Sequence, residues 1–202
     1  AISSLQDDGL VWRTAPSDAL QAIALRDQLA QLEKQVKTEL SISTVRVAVV
    51  NKDDAYGIGL AGSISDGLQV NGALATAANN PNFKQIQYPA TGDASAAVAA
   101  LQKLAPHVIV LIGTSEAVTG IVKPLEAGTW WGARPYYLVA DGLKKSELLD
   151  ALADNEALRL RTRGTVPFSA SNLANAFYAR YSAVYPDQPL IFGMAGAYDA
   201  TY

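Results

Sequence analysis

Thr44-Val45-Arg46-Val47-Ala48-Val49-Val50 is a β-branched, largely apolar run that stops at Asn51-Lys52-Asp53-Asp54. A strand with one solvated face alternates apolar and polar residues. A near-continuous apolar run needs cover on both faces, which a parallel sheet with crossover helices supplies. A second run of this kind, His107-Val108-Ile109-Val110-Leu111-Ile112, lies downstream. Together they predict an α/β fold: an open, mostly parallel sheet with helices on both faces in a Rossmann-like three-layer arrangement.

Upstream, Leu10-Val11-Trp12-Arg13-Thr14 reads as a short strand, and Pro16-Ser17-Asp18 opens a helix to about Leu40. Ser17 is the expected N-cap and Asp18 sits in the first turn. Leu25, Leu29, Leu32 and Val36 recur at three- and four-residue steps and form one apolar stripe. Downstream the pattern alternates, with a helix expected over about 55–71, a strand at 83–88 and a helix at 94–104 capped by Asp93. After the second run come a helix over about 115–127, a strand at Tyr136-Tyr137-Leu138-Val139 and a helix over about 144–152. A strand at 159–166 and a helix over about 170–184 complete the series. Such alternation implies right-handed βαβ crossovers in one domain spanning 1–202.

Composition narrows the chemistry. The 202 residues include no Cys and one His, which excludes disulfides, thiolate zinc sites, a Cys nucleophile and any site needing two imidazoles. Sixteen Lys and Arg against 19 Asp and Glu give a net charge of −3, without the clustered cations that nucleic-acid phosphates require. No stretch approaches the ~18 consecutive apolar residues of a membrane span, so no membrane insertion is expected. The first residues, Ala1-Ile2-Ser3-Ser4, do not read as a signal peptide. The last, Asp199-Ala200-Thr201-Tyr202, stop inside an expected helix, as in a piece trimmed from a longer chain.

Ligands of open parallel sheets bind outside the carboxyl ends of the strands. The residues following the strands are Asp53, Asp54 and Tyr56; Thr91, Gly92 and Asp93; Gly113, Thr114 and Ser115; Asp141 and Gly142; Phe168 and Ser169. Hydroxyls, carboxylates and an aromatic ring therefore converge on one rim, where caps and turns also draw on such residues. Gly57-Ile58-Gly59-Leu60-Ala61-Gly62 matches G-x-G-x-x-G, but six residues separate it from the apolar run and no acid ends the 83–88 strand. Its glycines read instead as a close approach of helix to sheet, and no cofactor is expected. His107 begins its strand, at the end of the sheet away from the rim, where no catalytic triad can use it. Trp130-Trp131 can serve as a ligand platform or cover a sheet or helix edge. Arg161 and Arg163 alternate on the expected last strand, either as an ion-paired edge or facing an anionic partner.

Val50-Asn51-Lys52-Asp53-Asp54-Ala55-Tyr56-Gly57-Ile58-Gly59-Leu60 resembles the strand-to-helix junction of type I periplasmic solute-binding proteins, the leucine/isoleucine/valine-binding receptors of ABC transporters. Arg13 to Gln21 is similar to the segment where that family's chain first enters its second lobe. Thr91-Gly92-Asp93, the Pro106–Gly113 strand and Tyr198-Asp199-Ala200 follow in family order. The resemblance implies a two-lobed clamp that closes on a small amino-acid-like ligand and delivers it to a membrane permease from the periplasm or another extracytoplasmic space. It implies that this chain supplies one lobe: a first crossover strand in 1–14, a body in 15–190 and an exit crossover in 191–202, the other lobe lying outside these residues. It further implies ligand contacts from Tyr56, from Asp141 toward an ammonium group, and from Gly113, Thr114 or Ser115, where the family often has an aromatic. A sensory receptor domain of the same fold is the alternative reading. A nucleotide-dependent enzyme is disfavoured by the missing nucleophile–base pair and the defective glycine fingerprint.

Overall fold

The computed structural model describes residues 8, 17–77, 80–130, 132–167, 171–190 and 194–199. The chain divides into two compact units, residues 18–166 and a second made of 1–17 and 167–202.

Unit 18–166 begins with α1 (Asp18–Leu40), β1 (Val47–Lys52) and α2 (Ala55–Ser65), then a hairpin of β2 (Gln69–Val70) and β3 (Ala73–Leu74). Next come β4 (Phe83–Tyr88), α3 (Ser95–Leu104) and β5 (Val108–Ile112). A continuous helical stretch follows: α4 (Ser115–Ala117), a π turn (Val118–Val122) and α5 (Lys123–Ala127). β6 (Tyr136–Val139), a 3₁₀ turn (Asp141–Leu143), α6 (Ser146–Ala153), α7 (Glu156–Arg161) and β7 (Thr162–Gly164) complete the unit.

The five long-range strands form one parallel sheet in the order β4-β1-β5-β6-β7. β1 and β5 lie at its centre, as their unbroken apolar runs require, and every residue of β5 is buried. Alternate side chains feed two cores. Val47, Val49, Val108, Val110 and Leu138 pack with the α1 stripe and α2. Ala48, Val50, Ile109, Leu111, Tyr137 and Val139 pack with α3, α5 and the π turn. The three-layer α/β fold is therefore the one the apolar runs predict.

Two expectations fail here. The helix expected over 55–71 ends at Ser65, and Gly67 takes φ +76°. The chain then turns back through Asn71 (φ +53°) and Gly72 (φ +80°), the pair of positive φ values that a two-residue hairpin demands. The strand expected at 159–166 is a helix through Arg161. The Asn155 carboxamide caps it by accepting the Leu158 N–H at 2.9 Å, and only Thr162–Gly164 are extended. Arg161 and Arg163 consequently do not alternate on one strand. Arg161 pairs with Glu126 at 2.8 Å, and Arg163 reaches the Gln35 carboxamide at 2.7 Å.

Of the second unit, α8 (Asn172–Val184) and α9 (Met194–Asp199) are described. α8 starts at Ser171, whose hydroxyl accepts the Ala174 N–H, and its rings run in a ladder from Phe177 through Tyr181 to Tyr185. The strand expected at 10–14 lies outside the described residues, as do Phe168, Ser169 and Trp131.

Candidate functional site

The strand order reverses between β1 and β5, since the chain moves from β1 outward to β4 and then returns to β5 on the other side. At such a switch point the loops leaving the two strands diverge and open a crevice at their carboxyl ends. Tyr56, Asp141, Thr114 and Glu116 gather there.

α2 is brought hard against the end of β1. A Cβ on Gly57 would lie 2.1 Å from the Lys52 carbonyl oxygen, so only glycine allows this approach. Asp54 caps the helix, its Oδ1 accepting the Gly57 N–H at 2.7 Å. The close approach expected of the glycine motif is made at Gly57, whereas a Cβ on Gly62 would meet nothing within 4 Å. The tight turn aims Tyr56 across the rim, where its hydroxyl donates to Asp141 Oδ1 at 2.8 Å. Burial first, then the negative charge of Asp141, push the Tyr56 hydroxyl pKa well above the ordinary tyrosine range.

Asp141 opens the 3₁₀ turn after β6 and is half-buried. Its Oδ1 also accepts from Gln21 Nε2 at 2.8 Å, and the same Gln21 amide reaches Thr165 Oγ1 at 3.2 Å. Among the described residues no hydrogen bond reaches Oδ2. Gly142 completes the turn against its neighbours: a Cβ there would sit 2.5 Å from the Gly113 carbonyl oxygen and 3.4 Å from the Tyr56 ring.

A second cluster lies beside the first. The Glu116 carboxylate accepts the Thr114 N–H and the Tyr88 hydroxyl, each at 3.0 Å, and the Thr114 hydroxyl on its other oxygen. Lys52 Nζ stands 3.5 Å from Glu116 and 3.8 Å from Asp54. Burial alone raises the Glu116 pKa, but the donors from Thr114 and Tyr88 outweigh it together and bring it down to about 2. Gly113 leaves room for the Tyr88 hydroxyl, which a Cβ would approach to 1.9 Å.

The structure thus brings Tyr56 and Asp141 into direct contact and seats the Gly113 backbone beside them. Thr114 is at the rim with its hydroxyl turned to Glu116, and Ser115 begins α4, half-buried. Asp93 accepts from the Ser95 N–H and hydroxyl just before α3, but the N-cap of that helix is Ala94, so the cap expected of Asp93 falls one residue later in the chain. Gln21, Lys52, Tyr88 and Glu116 were not singled out from the sequence. Glu116 reads locally as a first-turn acid and Tyr88 as the end of a strand, so neither carries a local sign of its partner. His107 is at the opposite end of the sheet, its Nδ1 accepting the Arg46 N–H at 2.9 Å. Trp130 donates to the Ala133 carbonyl at 2.9 Å and packs on the α3–α5 core, which favours the covering role over a platform. Among the described residues, no group of three or more His, Cys, Asp or Glu is placed to hold a metal ion, and no helix is long and apolar enough to cross a membrane.

No protein-family model and no curated protein matches the sequence. Solved structures do match the fold. A leucine-binding protein from Thermotoga maritima superposes with a TM-score of 0.58 at 18% identity, over 87% of this chain and 45% of its own. A possible leucine/isoleucine/valine-binding protein from Rhodopirellula baltica gives 0.58 at 18%, over 88% and 45%. A fatty acid ABC transporter substrate-binding protein from Thermomonospora curvata gives 0.53 at 17%, over 94% and 48%. The chain spans less than half the length of each of these proteins. The strand order, the two-faced core and these superpositions agree: the chain has the α/β fold of a lobe of the type I periplasmic binding proteins.

Proposed function

We propose that this chain supplies one lobe of an extracytoplasmic solute-binding protein that serves an ABC transporter, and that Asp141 receives the ammonium group of an amino-acid-like ligand. The observation that carries the reading is the asymmetry of the Asp141 carboxylate. Tyr56 and Gln21 hold Oδ1, while Oδ2 has no donor among the described residues. A half-buried carboxylate with one oxygen left open is best satisfied by a cationic donor. The same charge disfavours an anionic head group such as that of a fatty acid. Tyr56 adds a ring to cover the ligand, and the Gly113 backbone lies beside it in the rim. Thr114 and Ser115 supply the neighbouring polar wall. The other wall of the cleft comes from a second lobe, the two closing about a hinge on a ligand that touches both. The membrane permease is the partner to which the closed form delivers its solute.

Calorimetry with the proteinogenic L-amino acids, on the product of the full reading frame, tests the assignment. One-to-one binding is expected, with Asp141→Asn weakening it by at least about 2 kcal/mol, roughly thirtyfold in Kd. Unchanged affinity in that variant overturns the role of Asp141. The 202-residue chain alone is expected to bind weakly, and tight one-to-one binding by it overturns the shared cleft.

A further inference from the structure

We infer that Gln21 is a positioning residue that locks Asp141 and couples it to the two points where the chain passes into and out of unit 18–166. The inference deepens the reading of Asp141 given above and rests on it for its functional meaning. Gln21 lies in the first turn of α1, three residues after the unit begins, and Thr165 precedes the unit's last residue. The Gln21 side-chain amide has two N–H groups. It spends them on Asp141 Oδ1 at 2.8 Å and Thr165 Oγ1 at 3.2 Å, joining segments 120 and 144 residues apart in sequence.

Each partner is itself anchored to the end of β6. The Thr165 N–H donates to the Val139 carbonyl at 3.2 Å, and Asp141 follows Val139 by two residues, its carbonyl accepting the Lys144 N–H at 3.0 Å. At Gly164 a Cβ would stand 2.7 Å from the Val139 side chain, so β7 leaves the sheet pressed against β6. Gln21 therefore closes a ring of contacts: start of α1, turn after β6, segment after β7. With Tyr56 on the same oxygen, the ring fixes which Asp141 oxygen is consumed and which is presented. A cation arriving at Oδ2 draws on a carboxylate that also holds Gln21, and the pull is passed to Thr165 at the other crossing.

Residue-resolved hydrogen exchange on the ligand-free chain tests the coupling without any solute. The reporting amides are Thr165, bonded to Val139, and Leu143 and Lys144 in the turn of Asp141. Gln21→Leu is expected to speed exchange at all three by about tenfold, the loss of a hydrogen bond to a charged group. Asp141→Asn is expected to speed Thr165, which it does not touch, and Thr165→Val to speed Leu143 and Lys144, each about threefold. Protection of Val49 and Val110 at the sheet centre reports that the fold is intact. If Gln21→Leu loses that protection, the other two variants still decide the matter. Gln21→Lys, which keeps a donor within reach, restores protection. Gln21→Glu restores it only as the pH falls through the carboxyl range and the new side chain regains a proton to donate, a signature that mere packing would not produce. No response of Thr165 to Asp141→Asn, or of the 141 turn to Thr165→Val, overturns the inference. Absence of amine binding in the calorimetry would remove the ligand from Asp141 and leave this exchange result standing.

Discussion

Tyr88 and Glu116 meet across the switch point of the sheet, the tyrosine hydroxyl donating to Glu116 Oε1 at 3.0 Å from the end of β4 to the start of α4. β1 runs between their strands, and Lys52 at its end completes the bridge at 3.5 Å from the same oxygen. The crevice wall is held by this contact. Gly113 makes it possible, because its missing side chain leaves the space into which the hydroxyl projects.

Gly113→Ala places a methyl 1.9 Å from that hydroxyl, and the Tyr88 ring is buried and cannot swing aside freely. The cost is expected at about 1–3 kcal/mol, the usual range for overpacking. Urea unfolding of Gly113→Ala, Tyr88→Phe and the double variant forms a cycle. The double variant is expected to be less destabilised than the sum, because removing the hydroxyl removes the clash. Additive losses would place the strain elsewhere.

Glu116 ties stability to acid pH. Its folded pKa, about 2, lies below the model-peptide value of 4.5, so the stabilisation is present above pH 4.5 and is lost as pH falls toward 2. About a third of the side chain faces water, so after screening the contribution is about 1 kcal/mol. Chemical denaturation at pH 6 and pH 3 is expected to show a steeper fall for the native chain than for Glu116→Gln. Parallel slopes would contradict the assignment.

His107 acts in a higher window. Burial first, and then the Arg46 charge, hold its pKa below 6.5, and its Nδ1 serves as a neutral acceptor for the Arg46 N–H. The unfolded chain therefore takes up this proton before the folded one. Stability is full above pH 6.5 and declines as pH drops below it. His107→Asn offers an acceptor oxygen near the same place without titrating, and its melting temperature is expected to vary less between pH 7 and pH 5.5.

Arg161 and Arg163 should differ sharply despite their spacing. Arg161 makes two bonds to Glu126 and one to the Pro135 carbonyl, with 16% of its side chain exposed against 12% for Glu126. Arg161→Ala leaves the half-buried Glu126 carboxylate with the Tyr137 hydroxyl but without its cation and is expected to cost about 1.5–3 kcal/mol. Arg163→Ala removes a bond to a neutral carboxamide and is expected to cost about 1 kcal/mol. Thermal unfolding of the two variants side by side measures the difference.

Local sequence determined the layers of this protein and the edge on which its polar groups collect. The runs at 44–50 and 107–112 demand cover on both faces, the α1 stripe supplies part of it, and a parallel sheet sends the following loops to one rim. The hairpin was also legible, since Asn71-Gly72 is its turn signal, but the apolar residues before it read equally well as more helix. At 159–161 the competing pattern was strand-like, and the helix that the Asn155 cap starts runs through those residues. The tertiary structure alone decided which rim residues meet. Tyr56 finds Asp141 across 85 residues, Gln21 finds it across 120, and Tyr88 finds Glu116 across a strand that lies between theirs in the sheet. Periodicity and capping act over a single turn or pleat, so they place each residue at the rim. Which residues become neighbours there depends on the order in which the strands pair, and that order is set by how the whole core packs.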